Sequence, residues 1–205
     1  MSAREAIRRL GPEDAAALVA LRREALEEAP LAFSSSPEDD RVSLDFARTI
    51  LSDVQEQALF GHFEEGRLAG MVGVLRAAKR KERHKADLYG LYVTPAARKK
   101  GVGRSLLDAA VGHVREWQGV EQLHLCVTTG APAAARLYRA AGFREWGRQP
   151  RALQSGGVFV DDLHFVLELR GSADAPPNLD ELLSKVRRSN THAEVDSGPA
   201  VGREA

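Results

Sequence analysis

Between Asp87 and Leu107 the chain reads DLYGLYVTPAARKKGVGRSLL, and no other stretch constrains the fold as much. Leu88 to Val93 has the length and the β-branched and aromatic content of a buried strand. Thr94-Pro95 stops it, because proline cannot donate to a sheet ladder. Arg98, Lys99 and Lys100 follow, then Gly101-Val102-Gly103, and behind them Leu106, Leu107, Ala110, Val111 and Val114 recur at helical spacing. A strand, a basic glycine-containing turn and a helix start make an anion cradle. The first N–H groups of a helix lack intrahelical partners, and its dipole favours negative charge there. Gly101 and Gly103 remove side chains where a phosphate must approach the backbone. The competing reading is a tight strand-to-helix turn with solvated cations. A Walker A loop fails on the letters, since Arg98 and Arg104 stand where it needs glycine and lysine. A dinucleotide fingerprint fails at Leu106, which occupies its last glycine position.

The pattern that fits is R-x-x-G-x-G, as Arg98, Gly101 and Gly103, preceded by LYVTP. It resembles the pyrophosphate loop of the GNAT superfamily of acetyl-coenzyme A-dependent N-acetyltransferases. Further on, Ala135-Arg136-Leu137-Tyr138-Arg139-Ala140-Ala141-Gly142-Phe143 is similar to that family's A-x-LY-x-x-x-GF helix end. The resemblance runs from Ala6 to Leu169. It implies an α/β (α+β) fold: a mixed, twisted, mainly antiparallel sheet of about seven strands flanked by about four helices.

Composition sets outer bounds. The 205 residues suffice for one domain with appendages. No apolar run approaches a membrane span, and MSAREAIRRL lacks a signal-peptide core, so a cytoplasmic protein without membrane partners is the expectation. Cys126 is the sole cysteine, which excludes an intrachain disulfide; between Leu125 and Val127 it reads as a buried strand residue rather than a nucleophile. Zero net charge argues against bulk attraction to nucleic acid.

Along the chain, Ala6 to Leu10 reads as a strand and Gly11-Pro12-Glu13-Asp14 as a helix start with proline and acids in its first turn. Pro30 ends that helix, and Pro37-Glu38-Asp39-Asp40 opens a second one running through Leu44, Phe46 and Ile50; in the family these two helices border the acceptor site. Ala58 to Phe63 and Leu68 to Leu75 form a hairpin about Glu65-Gly66. The cations from Arg76 to Lys85 read as a solvated loop, with no aromatic residues interleaved for single-strand nucleic acid. A helix to Trp117, a strand Gln122 to Val127 and a helix Ala133 to Ala141 capped by Gly142 follow. Phe143 to Arg148 and Val158 to Leu169 are two strands joined through Pro150 and Gly156-Gly157, similar to the final hairpin of a bacterial branch of the superfamily. An acetyltransferase domain is thus expected over 1–170. Residues 171–205 read as a linker, a short helix from Asn178 and a disordered tail.

The resemblance carries a chemistry with it, acetyl transfer from acetyl-coenzyme A to a primary amine by direct attack through a tetrahedral intermediate. The backbone of Lys99, Lys100, Gly101, Val102, Gly103 and Arg104, with Ser105 behind, would take the diphosphate, and Arg98 to Lys100 would add attraction. The pantetheine arm would lie along Leu91, Tyr92 and Val93, with a main-chain N–H there facing the thioester carbonyl. Tyr138 would be the general acid for the departing thiolate. Asp87 matches a strand position where some relatives carry a glutamate base acting through water; His62, His124 and His164 are further candidates. No short metal-ligand spacing is present, so no metal is expected. One departure stands out: the asparagine that commonly precedes the tyrosine by seven positions is Ala131, with Thr128, Thr129 or the N–H groups near Gly130 as substitutes. A small-molecule or peptide amine is the implied partner, and a homodimer is compatible with the sequence. The rival readings are a non-catalytic acyl-coenzyme A-binding module and a nucleic-acid-associated protein using residues 76–85.

Overall fold

The computed structural model describes residues 7–53 and 55–169; the expected linker, short helix and tail at 171–205 lie outside them. Chain order gives β1 (Ile7–Arg9), α1 (Ala15–Glu28), α2 (Leu44–Ser52), β2 (Gln57–Glu64), β3 (Arg67–Arg76) and β4 (Lys85–Val93). Then come α3 (Val102–Glu116), β5 (Gln122–Thr128), α4 (Pro132–Ala140), β6 (Arg144–Ser155) and β7 (Val158–Glu168). The seven strands form one sheet in the order β1-β2-β3-β4-β5-β7-β6. Only β4 and β5 run parallel, as the fold expectation requires.

Alternation along the strands divides the apolar residues between two faces. On one, Val72, Val74, Leu123 and Phe165 meet Leu106 and Leu107 of α3 and Ala135 of α4. On the other, Leu59, Met71 and Tyr92 meet Leu18 and Leu21 of α1 and Leu51 of α2. Residues of β5, β7 and β6 on this second face line an open cavity instead.

Two expected boundaries moved. The second helix does not begin at Pro37: residues 37–39 form a single turn in which Asp39 Oδ1 accepts from the Ser36 N–H at 2.7 Å. Asp40 is pulled aside into a two-pronged ion pair with Arg22. The helix starts only where Ser43 caps the Phe46 N–H, at 3.2 Å. The final hairpin also keeps Pro150 inside β6. Pairing skips from Gln149 to Leu153, Arg151 takes φ +52°, and its N–H donates to Asp161 Oδ1 at 2.7 Å. A bulge therefore absorbs the proline, consistent with its confinement to bulges and edges.

Gly73 shows how closely β3 and β4 approach. A Cβ there would enter the Tyr89 ring, 2.8 Å from its hydroxyl oxygen. Gly73→Val must evict that ring, and urea unfolding is expected to register a loss of about 1–3 kcal/mol; an unchanged midpoint would show that Tyr89 relocates without cost.

Candidate functional site

The bulge in β4 organises the site. Gly73 pairs with Tyr89 and Met71 with Tyr92, so Val72 alone opposes both Gly90 and Leu91. Gly90 has φ +65°, a conformation that costs glycine nothing and other residues strain. On its other edge β4 stays with β5 only from Lys85 to Asp87; β5 then runs on to Thr128 paired with β7. The two parallel strands splay apart. From Leu88 onward β4 turns a backbone edge toward the opening with no ladder partner among the described residues.

A cleft of about 660 Å³ fills this opening. It is lined by Leu91 to Val93 of β4, by Arg98, Lys99 and Gly101 to Arg104 at the start of α3, and by Leu137 and Tyr138 of α4. Gly101 caps α3 in the left-handed region, φ +83°, and Lys99 also has positive φ, 62°. The first helical bond runs from Ser105 N–H to Gly101 O at 3.0 Å. Among the described residues no short, straight hydrogen bond takes the N–H groups of 99–104, where the backbone makes only a loose turn, and a Cβ at Gly101 would meet nothing within 4 Å. This is a nest of donors at a helix N-terminus, of a kind that suits a diphosphate in charge and approach. Ser105 differs from the rest of the expected set, since its N–H is engaged inside the helix.

The cations around the nest behave differently from the expectation of free attraction. Arg98 makes a two-pronged pair with Glu28 of α1, at 3.0 and 2.6 Å, and donates to Val93 O at 2.9 Å. Lys100 pairs with Glu64 at 3.3 Å and Arg104 with Asp108 at 2.9 Å. The Arg98 guanidinium holds the Glu28 carboxyl below the usual range. Tyr92 donates its hydroxyl to Glu24, 3.0 Å away, so Glu24 and Glu28 together tie the end of β4 and the loop to α1. Arg98 is a strut. The sequence signal for it was an acidic pair at helical spacing near the end of the first helix, which only the fold brings beside the loop.

A second cavity, about 600 Å³, opens on the face that α1 and α2 leave free. Asp87 and Tyr89 of β4, His124 and Cys126 of β5, Asp162 and His164 of β7 and Trp146 of β6 line it. The two cavities share Leu88, Tyr89, Gly90 and Cys126 as well as Ala32 and Phe33 of the loop after α1. They meet at the bulge. Cys126 is exposed here rather than buried, because Leu125 and Val127 take the core face and alternation turns the thiol to the cavity. Desolvation and the Asp162 carboxylate push that thiol up to about 12, which keeps it protonated and poorly nucleophilic at neutral pH.

The candidate proton-transfer residues come from different elements and divide between the two cavities, Tyr138 on the cleft and Asp87, His124 and His164 on the second cavity. Tyr138, buried at 5% exposure, packs edge-on against Phe143 and tilts toward Phe165; desolvation raises its phenol above the ordinary value. Desolvation also raises the Asp87 carboxyl, against opposing attraction from His124 and Lys85. Asp87 and His124 are register partners across the parallel pair. His164 lies in the same cavity, its ring 5.3 Å from Trp146. His62 is elsewhere, at 3% exposure in β2 beside Glu64, and lines neither cavity. The threonines expected to replace the missing asparagine are occupied. Thr128 donates to Leu31 O at 2.5 Å and accepts from Gly130 N–H at 3.1 Å, while Thr129 accepts from Asp161 N–H at 3.1 Å. The basic segment 76–85 is tied inward in part: Arg76 donates to Arg83 O and Gln118 O, and Arg83 pairs with Glu56. Among the described residues no helix is long and apolar enough to cross a membrane, and no group of three His, Cys, Asp or Glu could hold a metal ion.

Comparison with known proteins agrees with this geometry. The acetyltransferase (GNAT) family profile matches residues 18–143. The mycothiol acetyltransferase of Propionibacterium freudenreichii subsp. shermanii is 35% identical over 115 residues, 55% of this chain and 36% of that protein. The chain therefore spans about a third of the length of that curated relative. A solved GNAT-family acetyltransferase from Streptococcus pneumoniae superposes with a TM-score of 0.72 at 27% identity, over 79% of this chain and 98% of that one. The same fold occurs in a phosphinothricin acetyltransferase from Sinorhizobium meliloti solved with acetyl-coenzyme A. There the TM-score is 0.68 at 20% identity, over 79% and 86% of the two chains.

Proposed function

The chain belongs to the acetyltransferase (GNAT) family, and from that premise we propose that it moves acetyl from acetyl-coenzyme A to a primary amine by direct attack. The observation that carries the proposal is the meeting, at one bulge, of a donor-lined cleft and a second cavity lined by Asp87 and His124. The catalytic domain is residues 1–170. A cytoplasmic location and a small-molecule or peptide amine as acceptor belong to the same reading.

Each residue has a physical task in it. The N–H groups of 99–104 hold the diphosphate, with Arg98 bracing their loop through Glu28. The open edge of Leu91 to Val93 takes the pantetheine arm as an added strand would, and a main-chain N–H beside the bulge faces the developing oxyanion. The Asp87–His124 pair receives the ammonium proton on the acceptor side. Tyr138, from the opposite wall, returns a proton to the thiolate as the C–S bond breaks. Its raised phenol stays protonated through the neutral range, as an acid requires.

Thiol release over a panel of amines, with mass spectrometry of the product, tests the function. Coenzyme binding by calorimetry without thiol release against any amine would instead favour a regulatory binding module. Tyr138→Phe keeps the packing ring and removes the proton, so kcat should fall about 100-fold while acetyl-coenzyme A affinity holds. Full kcat in that variant would remove the acid role.

A further inference from the structure

His124, which lines the acceptor cavity, ends a hydrogen-bonded line whose other two members, Gln122 and Glu168, no step above uses. Gln122 and His124 sit two residues apart on β5 and therefore on one face, the face that looks into the cavity. Gln122 is the cross-strand partner of Glu168 on β7, and its Nε2 donates to Glu168 Oε1 at 3.2 Å. His124 Nε2 lies 3.1 Å from Gln122 Oε1.

Together these two contacts favour one tautomer of the ring. An ionised carboxylate only accepts, so Glu168 must face the amide NH₂ of Gln122. The amide oxygen is then turned toward His124, and it too can only accept. His124 Nε2 must carry the hydrogen, which leaves the lone pair of the neutral ring on Nδ1. The Trp146 ring stands edge-on to the imidazole at 6.5 Å and Asp87 is its register partner on β4.

We propose that His124 Nδ1 takes the proton from the acceptor's ammonium, and that Gln122 and Glu168 are positioning residues that hold the ring in the required tautomer. This rests on the acetyl-transfer reading. The balance is simple. The ammonium gives one proton to Nδ1, the free amine forms the C–N bond, and collapse breaks the C–S bond. The nitrogen's second proton replaces the one Tyr138 passes to sulfur, and the imidazolium returns its own to solvent. Asp87 then acts as the counter-charge of the imidazolium.

The groups facing His124 fit the role. Desolvation lowers its pKa below the ordinary 6.5; Lys85 and His84 push the same way, and Asp87 and Glu168 oppose. The ring is neutral and ready at pH 7.

Two measurements on the full chain decide the matter. Histidine-labelled protein, assigned with the His124→Asn variant, reports the tautomer by long-range proton–nitrogen NMR. An Nε2–H ring is expected, and Gln122→Leu should mix the tautomers. An Nδ1–H ring in the wild type overturns the proposal. The second measurement compares transfer to the amine found in the screen with transfer to hydroxylamine, which is already uncharged at neutral pH. His124→Asn should lower kcat for the amine about 100-fold, leave KM for acetyl-coenzyme A unchanged and spare hydroxylamine. Equal effects on the two nucleophiles, or none, overturn the base role while acetyl transfer by the wild type stands. A wild type that acetylates neither would instead sink the acetyl-transfer reading, and this proposal with it.

Discussion

Gly90→Val is expected to lower kcat by about 100- to 1,000-fold, the loss typical when one preorganised oxyanion donor is removed. Gly90 lies at φ +65° in the bulge, and a Cβ there would meet nothing within 4 Å. The damage is therefore conformational rather than a collision. A β-branched residue at positive φ costs about 1–3 kcal/mol, and the strand recovers that energy by flattening. A flat β4 would re-pair Val72 one-to-one and rotate the Leu91 to Val93 edge away from the cleft. Gly73→Val, on the neighbouring strand, tests the opposite case, with a collision and no backbone strain at the substituted position. The donor nest proposed for the diphosphate lies beyond Thr94, so Gly90→Val should retain much of its coenzyme binding while losing turnover. Calorimetry beside steady-state kinetics separates the two, and wild-type kcat would refute the assignment of the bulge.

Alkaline pH should unfold this protein steeply. The chain has three tyrosines, and desolvation raises all of them: Tyr89 to about 12, Tyr92 and Tyr138 higher still. In the unfolded chain each ionises near about 10. Above that pH the unfolded state binds fewer protons than the folded one, so stability falls as pH rises. Each tyrosine contributes about 1.4 kcal/mol per pH unit, and the three together roughly 4 kcal/mol per unit. Two units of such decline rival the whole stability of an ordinary domain, about 5–15 kcal/mol. Tyrosinate absorbance should stay flat through the range where free tyrosine titrates, then rise cooperatively with the loss of circular dichroism. A separate noncooperative phase near the free value would show that one ring is solvated. Below pH 10 the tyrosines contribute no slope, because both states hold the proton.

The nest of backbone donors at the start of α3 was legible from letters because its geometry is local. Gly101 and Gly103, the cations and the apolar helix behind them lie in one short stretch, and backbone donors at a helix start need no distant partner. The two packed cores were legible for the same reason, through alternation in the strands and helical spacing in α3. Long-range pairing was not. Arg98 reads as a free phosphate ligand until α1 folds back and Glu28 engages it, 70 residues away in sequence. Pro37 reads as a helix start until Asp39 and Asp40 find other partners. Cys126 reads as buried, since its neighbours are apolar, until alternation and the uncovered half of the sheet turn it outward. The bulge that joins the two cavities exists only as a mismatch of register between β3 and β4, and a single strand has no register. The line from Glu168 through Gln122 to His124 likewise needs β5 beside β7. Sequence alone determined the local conformations and the family they belong to. Tertiary structure decided which polar atoms are already engaged and which are left to react, because a hydrogen bond depends on where both partners lie and a motif records only one of them.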